Sequence, residues 1–128
     1  MNLNQVTLPA TDVAAAIAFY QALGLKLIVH TGPHYARFEC PDGDATFSVH
    51  RVEGPVVPNG TVVYFECDDL DARVAELQAR GVVFSQPPTD ERWLWREARL
   101  SDPSGNTVCL YHAGRNRKHP PWRRADTQ

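Results

Sequence analysis

The sequence repeats itself once, at a constant offset of 57 residues and without a gap. The segment from Asp12 to Leu25 reappears as the segment from Asp69 to Val82. Repeated segments usually mark supersecondary units whose apolar faces are buried together. Because the 128 residues hold only two copies, the repeat predicts one pseudo-symmetric domain rather than a longer array of units.

The first copy is predicted to form a βαβββ unit. A strand over 3–8 ends at Pro9, and Asp12 caps a helix that stops near Gly24. Three strands follow, around 26–30, 35–40 and 46–51, and the turns between them contain glycine and proline.

The second copy follows a linker, residues 53–60, that is rich in proline and glycine. A strand is predicted over 62–67, then a helix that Asp69 caps and Gly81 ends. Further strands are predicted near 82–85, 93–100 and 107–111. The predicted domain therefore comprises residues 1–114, with units at 2–54 and 61–114. Residues 115–128 form a basic, proline-containing tail, which is either solvated or an arm whose Trp122 packs on a neighbouring surface.

Composition narrows the partners and the location. A formal net charge of −2 favours neither nucleic acid nor an anionic membrane as a partner. No apolar run approaches about 18 residues, and the first residues do not resemble a signal peptide. We therefore expect a cytoplasmic protein whose cysteines, Cys40, Cys67 and Cys109, are reduced thiols.

Alternation along the predicted strands separates a helix-packed face from a second face. Apolar side chains such as Phe47, Val49 and Ala98 suit the first. The second face collects aromatic and polar groups, the combination that lines small-molecule pockets. The predicted ligand-binding residues on it are Gln5, Ser48, His50, Tyr64, Glu66, Trp93, Trp95 and Tyr111.

Several motifs together resemble the vicinal oxygen chelate superfamily, which includes glyoxalase I, bleomycin-resistance proteins and extradiol dioxygenases. They are the paired βαβββ units, the helix end at residues 19–25, the stretch Trp93–Ala98 and the closing turn Asp102–Asn106. The resemblance covers residues 2–113. It implies an α+β fold in which two tandem βαβββ units form a curved mixed sheet around a cavity, and it implies a homodimer.

The resemblance also implies where a metal would bind, because metal-dependent members take ligands from the centres of four strands. The matching positions are Gln5, Ser48, Val62 and Cys109. Only Gln5 is a usual oxygen ligand, and Val62 has no donor atom. We therefore expect no cofactor, but an atypical divalent metal site using Gln5 and His50 with Glu66 or Cys109 is left open.

Three residues are weak candidates for catalysis. His50 is either a general base or a hydrogen-bonded histidine at the pocket rim. Cys109 is either a nucleophile or a buried thiol.

Glu66 is the third candidate. Together with Glu97 it is either part of an acid–base pair or the partner of an arginine such as Arg37, Arg96 or Arg99. Trp93 and Trp95 are interpreted either as a stacking surface for a flat ligand or as a subunit contact.

Two functions follow from these alternatives. The first is a metal-free protein that binds a small, partly aromatic or hydrophobic molecule in its sheet cavity. The second is a lyase, isomerase or dioxygenase-like enzyme with an atypical site that uses Gln5, His50 and a carboxylate.

Overall fold

The computed structural model describes residues 1–125, which form two units of βαβββ order. Unit 1 comprises Met1–Thr61 and Ser101–Thr107, and unit 2 comprises Val62–Leu100 and the residues from Val108 onward. The α+β class and the two tandem units predicted from the repeat are confirmed, with one four-stranded sheet in each unit.

Unit 1 contains β1 (Gln5–Ala10), α1 (Val13–Ala22), β2 (Lys26–Thr31), β3 (Tyr35–Glu39) and β4 (Thr46–Arg51). Its strand order is β1-β4-β3-β2. β1 runs parallel to β4, and the other two pairings are antiparallel.

Unit 2 contains β5 (Val62–Glu66), α2 (Leu70–Ala79), β6 (Gln86–Asp90), β7 (Arg96–Ser101) and β8 (Thr107–His112). Its strand order, β5-β8-β7-β6, repeats that of unit 1. A 3₁₀ turn, Gly114–Arg117, follows β8.

The two helices begin and end as the sequence predicts. Asp12 and Asp69 accept hydrogen bonds from Ala15 N at 3.0 Å and Ala72 N at 3.1 Å. Past the helix ends, Gly24 and Gly81 have φ angles of 101° and 91°, a conformation in which glycine has no steric cost. Both helices are therefore defined by local signals at their ends.

Each helix supplies the core of its own unit. In unit 1 the Tyr20 ring lies 4.5 Å from that of Phe47 and 5.9 Å from that of Phe38. In unit 2 the buried helix residues are Leu70, Val74 and Leu77. Burying such side chains is the main favourable contribution to folding.

Two predicted strand boundaries are wrong because edge strands tolerate proline. β1 runs through Pro9 to Ala10, along the edge of its sheet. The strand predicted at 82–85 lies instead at Gln86–Asp90 and contains Pro87 and Pro88. This strand is also an edge strand, and its register with β7 shifts between Gln86 and Thr89.

A third predicted strand, 93–100, begins three residues later, at Arg96. Trp93 and Trp95 precede it in a turn, in which Leu94 has a φ angle of 67°. Strand alternation therefore does not determine the directions of these two indoles.

The described part of the tail contains an exposed Trp122, at 57% exposure. Residues 126–128 of the predicted tail lie outside the described residues. None of the helices within residues 1–125 is long and apolar enough to cross a membrane.

Candidate functional site

One face of the unit 2 sheet carries a cluster of aromatic rings, here called the aromatic face and defined by Tyr64, Trp95 and Tyr111. Trp95 and Tyr111 are stacked, with ring centroids 4.7 Å apart and an interplanar angle of 23°. Tyr64 stands edge-on to them, at 5.9 Å and 5.5 Å. These are favourable arrangements for aromatic pairs. Because Tyr64 is 42% exposed, the cluster presents a ring to solvent.

The turn before β7 positions two indoles. Leu94 N donates to Glu91 O at 3.0 Å, and Glu91 N donates to Trp95 O at 2.7 Å. The positive φ of Leu94, 67°, is uncommon for a residue with a side chain. Trp93 Nε1 donates to Glu97 Oε2 at 2.7 Å, and Trp95 Nε1 donates to Asn116 O at 3.2 Å. Both indoles are thus held in place although they lie outside the strand.

Glu97 is a buried carboxylate beside the aromatic face, with 1% exposure. Arg99 Nη2 lies 3.2 Å from Glu97 Oε1 and also donates to Tyr64 OH at 3.3 Å. Buried charges require such pairing. The predicted pairing of Glu97 with an arginine is therefore confirmed for Arg99.

Arg96, another arginine that the sequence suggests as a partner of Glu97, pairs with other carboxylates instead. Arg96 forms salt bridges of 2.9 Å with Asp71 and with Asp90. Arg99 is consequently the residue whose charge balances Glu97.

Cys109 lies in the same part of unit 2 and is fully buried. Its thiol is 3.8 Å from Glu97 Oε1. Burial, reinforced by the negative charge of Glu97, raises the pKa of Cys109 to about 12. Since the thiolate is the nucleophilic form, this environment favours the buried-thiol interpretation over the nucleophile.

Glu66 is occupied by the chain that follows β8. Its Oε2 accepts hydrogen bonds from Ala113 N at 2.8 Å and Gly114 N at 2.9 Å. Burial acts to raise the pKa of Glu66, but these backbone donors and the charges of His112 and Arg117 outweigh it and hold the pKa below its usual value. Glu66 therefore anchors the 3₁₀ turn, rather than pairing with one of the arginines considered from the sequence.

One face of the unit 1 sheet is rich in hydroxyl groups. It is called the hydroxyl face and comprises residues at alternate strand positions: Gln5, Thr7, Tyr35, Arg37, Glu39, Thr46, Ser48 and His50. Gln5 Nε2 donates to Ser48 Oγ at 2.6 Å, and Ser48 Oγ is 2.7 Å from Thr7 Oγ1. Thr46 Oγ1 donates to Gln5 Oε1. Both ends of the Gln5 amide are therefore engaged by hydroxyl groups.

His50 is exposed near the end of β4, directly across from Tyr35 on β3. Arg37 is likewise paired in register with Ser48. Tyr35 and Arg37 were not among the predicted site residues. Their alternation along β3 is visible in the sequence, but its relation to Ser48 and His50 depends on a strand register that the sequence does not provide.

The four positions that match the metal ligands of related proteins do not fit a divalent metal. The Gln5 amide is bonded to hydroxyl groups, and Ser48 is fully buried. Val62 has no donor atom, and the buried thiol of Cys109, whose pKa is raised, would have to lose its proton to bind a metal. Metals bind thiolates, not thiols. Among residues 1–125, no group of three or more His, Cys, Asp or Glu side chains is arranged to hold a metal ion.

Unit 1 also contains a separate cavity of about 230 Å³. It is lined by residues 6–9 of β1, residues 56–61 between β4 and β5, and residues 105–107. Pockets for drug-sized ligands have volumes of about 300–1,000 Å³, so this cavity suits a smaller occupant.

Comparison with known proteins agrees with this architecture. Residues 2–110 match the family model described as the Glyoxalase/Bleomycin resistance protein/Dioxygenase superfamily. Two curated relatives, from Mycobacterium bovis and Mycobacterium tuberculosis, are named as a glyoxylase, CFP32, and are 35% identical over 94 residues. The match covers 70% of this chain and 36% of each relative, so this chain spans about a third of their length.

Solved structures extend the comparison to the fold. A glyoxalase/bleomycin resistance protein/dioxygenase from Nocardioides superposes with a TM-score of 0.78 at 20% identity, covering 98% of this chain and 90% of that one. A lactoylglutathione lyase from Agrobacterium tumefaciens gives a TM-score of 0.71 at 20% identity, covering 87% and 92%. From the match of its sequence and the agreement of its fold, the chain belongs to the Glyoxalase/Bleomycin resistance protein/Dioxygenase superfamily.

Proposed function

We propose that this domain binds a small, partly aromatic or hydrophobic molecule against the aromatic face of unit 2, without a standard metal site. The observation that carries the proposal is the stack of Trp95 on Tyr111 with Tyr64 edge-on and exposed. A flat ligand that contacts these rings would extend the stack. Each added aromatic pair contributes about 0.5–1.5 kcal/mol beyond the area that it buries.

The rings are held in position before any ligand arrives. Trp93 is fixed by Glu97, Trp95 by the carbonyl of Asn116, and Tyr64 by Arg99. A binding surface whose side chains are already ordered loses less conformational entropy when the ligand binds. The hydrogen bonds thus support a recognition role for rings that are not all buried.

The charges beside the aromatic face favour a ligand without a large net charge. The carboxylate of Glu97 is balanced by the guanidinium of Arg99. The ligand therefore meets a local ion pair rather than a single uncompensated charge, and apolar contact with the rings supplies most of the binding energy.

The experiment is a titration of the metal-free protein with 2-naphthol, a neutral flat probe, by isothermal calorimetry in the presence of a chelator. We expect saturable binding. Replacing Tyr64→Ala removes one exposed ring and is expected to weaken the affinity about threefold to tenfold. Absence of saturable binding, or an unchanged affinity in Tyr64→Ala, would contradict the proposal.

The matched control is Trp122→Ala, which removes an exposed aromatic side chain from the tail. Its affinity for 2-naphthol is expected to equal that of the unmodified protein. An equal loss of affinity for 2-naphthol in both variants would show that the probe binds nonspecifically to exposed rings.

A second candidate is an enzyme of lyase, isomerase or dioxygenase type that uses Gln5, His50 and a carboxylate. It is favoured by one observation, the exposure of His50 on the face that also holds Gln5. The engagement of the whole Gln5 amide by Thr46 and Ser48 opposes it. Metal analysis with thermal shifts in divalent ions separates the candidates: a stoichiometric metal lost in His50→Ala would favour the enzyme.

We also propose that the domain is a homodimer, as the family resemblance implies, and that it is cytoplasmic, as the composition indicates. Trp93, at 38% exposure, is a large apolar side chain available for a subunit contact. Sedimentation at micromolar concentration tests the dimer, and a species of 14.3 kDa would contradict it.

A further inference from the structure

We propose that the hydroxyl face of unit 1 is an oxyanion site, in which Arg37 and Tyr35 bind the carboxylate of a small molecule. The site lies entirely within unit 1 and is independent of the aromatic face of unit 2. It would occupy the face where related metal-dependent proteins place ligands, but with hydrogen-bond donors instead of a metal.

The first observation is the environment of Arg37. Its Nε donates to Tyr35 OH at 2.9 Å, and its guanidinium carbon lies 5.4 Å from the centre of the Tyr35 ring. The side chain is exposed. Since Nε is used for Tyr35, the terminal Nη groups remain as a planar pair of donors, the geometry that binds a carboxylate in a bidentate manner.

The second observation is charge. The two arginines of β7, Arg96 and Arg99, form salt bridges with carboxylates. Within residues 1–125, by contrast, the guanidinium of Arg37 has no carboxylate within salt-bridge distance, and its hydrogen-bond partner is a phenol. Arg37 therefore presents a positive charge without a salt bridge, while Glu39, two positions along the same face, is paired in register with Lys26. The charge of Arg37 favours an anionic ligand.

The third observation is the direction of the hydrogen bonds behind Tyr35. Thr46 donates to the carbonyl of the Gln5 amide, so the amide nitrogen donates to Ser48 Oγ. Because Ser48 receives that hydrogen, its own hydroxyl hydrogen is directed to another oxygen, and Thr7 Oγ1 lies 2.7 Å from Ser48 Oγ. The phenol oxygen of Tyr35 accepts a hydrogen bond from Arg37 Nε, so its own hydrogen is available to a bound oxyanion.

The test follows the side-chain and amide resonances of unit 1 by NMR while acetate is added at constant ionic strength. Acetamide, a neutral molecule of the same shape, is the first comparison, and inorganic phosphate is the second. We expect saturable shifts with acetate, at a dissociation constant of about 1–10 mM. Acetamide should produce none, whereas phosphate should also bind, because the guanidinium fork matches phosphate as well as carboxylate oxygens.

Two substitutions locate the site. Arg37→Gln is expected to weaken acetate binding at least about tenfold, and Arg37→Lys should restore only part of it, because lysine lacks the planar fork. The matched control is Arg51→Gln, an exposed arginine on β4 that points to the opposite side of the sheet. It should bind acetate as the unmodified protein does.

The proposal is wrong if acetate produces no saturable shift or if acetamide binds equally well. It is also wrong if Arg37→Gln and Arg51→Gln weaken the affinity for acetate to the same extent. Because Arg37 and Arg51 are exposed, both variants are expected to fold, and unchanged resonances of the buried unit 1 core check this.

Discussion

The phenol of Tyr20 in α1 donates a hydrogen bond of 2.7 Å to Oδ2 of Asp102, which lies 82 residues further along the chain. Asp102 is 5% exposed and also accepts from Ser104 N, Asn106 N and Asn106 Nδ2, each at 2.9 Å. Asn106 Nδ2 in turn donates to Pro9 O at 2.8 Å. The turn that helps to identify the family is therefore a structural clamp on α1 and β1, all within unit 1.

Removing the hydroxyl group of Tyr20 tests whether these hydrogen bonds stabilise the turn. Tyr20→Phe leaves the buried carboxylate with one donor fewer, so we expect the free energy of unfolding to fall by about 1–3 kcal/mol. Asp102→Asn should lower the free energy of unfolding further. Its amide nitrogen would place N–H donors opposite the donors of Tyr20 and Asn106, which now bind a carboxylate oxygen. Urea denaturation measures both. Tyr64→Phe is the control, with a change below about 0.5 kcal/mol because that residue is exposed; a loss as large as that of Tyr20→Phe would contradict the clamp.

Cys109 is predicted to resist alkylation in the folded protein. Burial and the charge of Glu97 raise its pKa to about 12, and the side chain has no exposed surface. With iodoacetamide at about pH 8, mass spectrometry should find Cys109 unmodified in the native protein and modified in denaturant. Cys67, which is partly exposed, is the internal control and should react in the native protein. Equal labelling of the two thiols would show that Cys109 is accessible.

The sequence predicted the helices better than the strands because helix signals are local. The capping residues Asp12 and Asp69 each accept a hydrogen bond from a backbone N–H only three residues further along the chain. Strand limits depend instead on neighbours. Pro9 and the Pro87-Pro88 pair are compatible with strands only because β1 and β6 lie at sheet edges, which no local pattern shows.

The candidate site was predicted in part for the same reason. Tyr64 and Tyr111 were assigned to one face by alternation, and their rings are in contact. Trp95 also contacts this cluster, but it does so from a turn. The residue with positive φ in that turn is Leu94, and the sequence does not indicate the turn because such a position is usually glycine. The position of Arg37 beside Ser48 is not predicted by the sequence, because it comes from the pairing of β3 with β4.

The anchor formed by Glu66 is predicted to make stability depend on pH. The pKa of Glu66 is lower in the folded protein than in the unfolded chain, where it is about 4.3. Its contribution to the free energy of unfolding is therefore complete above that value and is lost as the pH falls through the folded pKa. The difference in unfolding free energy between the unmodified protein and Glu66→Gln should therefore be largest near neutral pH and shrink in acid. Denaturation at a series of pH values measures it.

The control for this pH series is Glu76→Gln. Glu76 forms salt bridges of 3.0 Å with Arg73 and Arg80, on the surface of α2. Exposed pairs of this kind contribute about 0–1 kcal/mol. If Glu66→Gln differs from the unmodified protein by the same amount at every pH, the carboxylate charge does not hold the 3₁₀ turn.

Tyr35 is predicted to ionise at a lower pH than an ordinary tyrosine. A hydrogen bond from Ser48 lowers its pKa, burial opposes the change, and Arg37 lowers it further. The other charged or titratable groups placed on this face by the strand registers are Lys26, Glu39 and His50. The absorbance of tyrosinate, followed during an alkaline titration, should contain a step below the usual value of about 10.

Substitutions assign that step. Tyr35→Phe should remove it, and Arg37→Gln should move its midpoint upward, because the phenolate loses a donor and a positive charge. Tyr111→Phe is the control: burial and Glu66 raise the pKa of Tyr111, so its removal should delete only absorbance that develops above the usual value. If the early step persists in Tyr35→Phe, or if its midpoint is the same in Arg37→Gln, the donors around Tyr35 do not stabilise its phenolate, and the phenol would add little to the binding of an oxyanion beside Arg37.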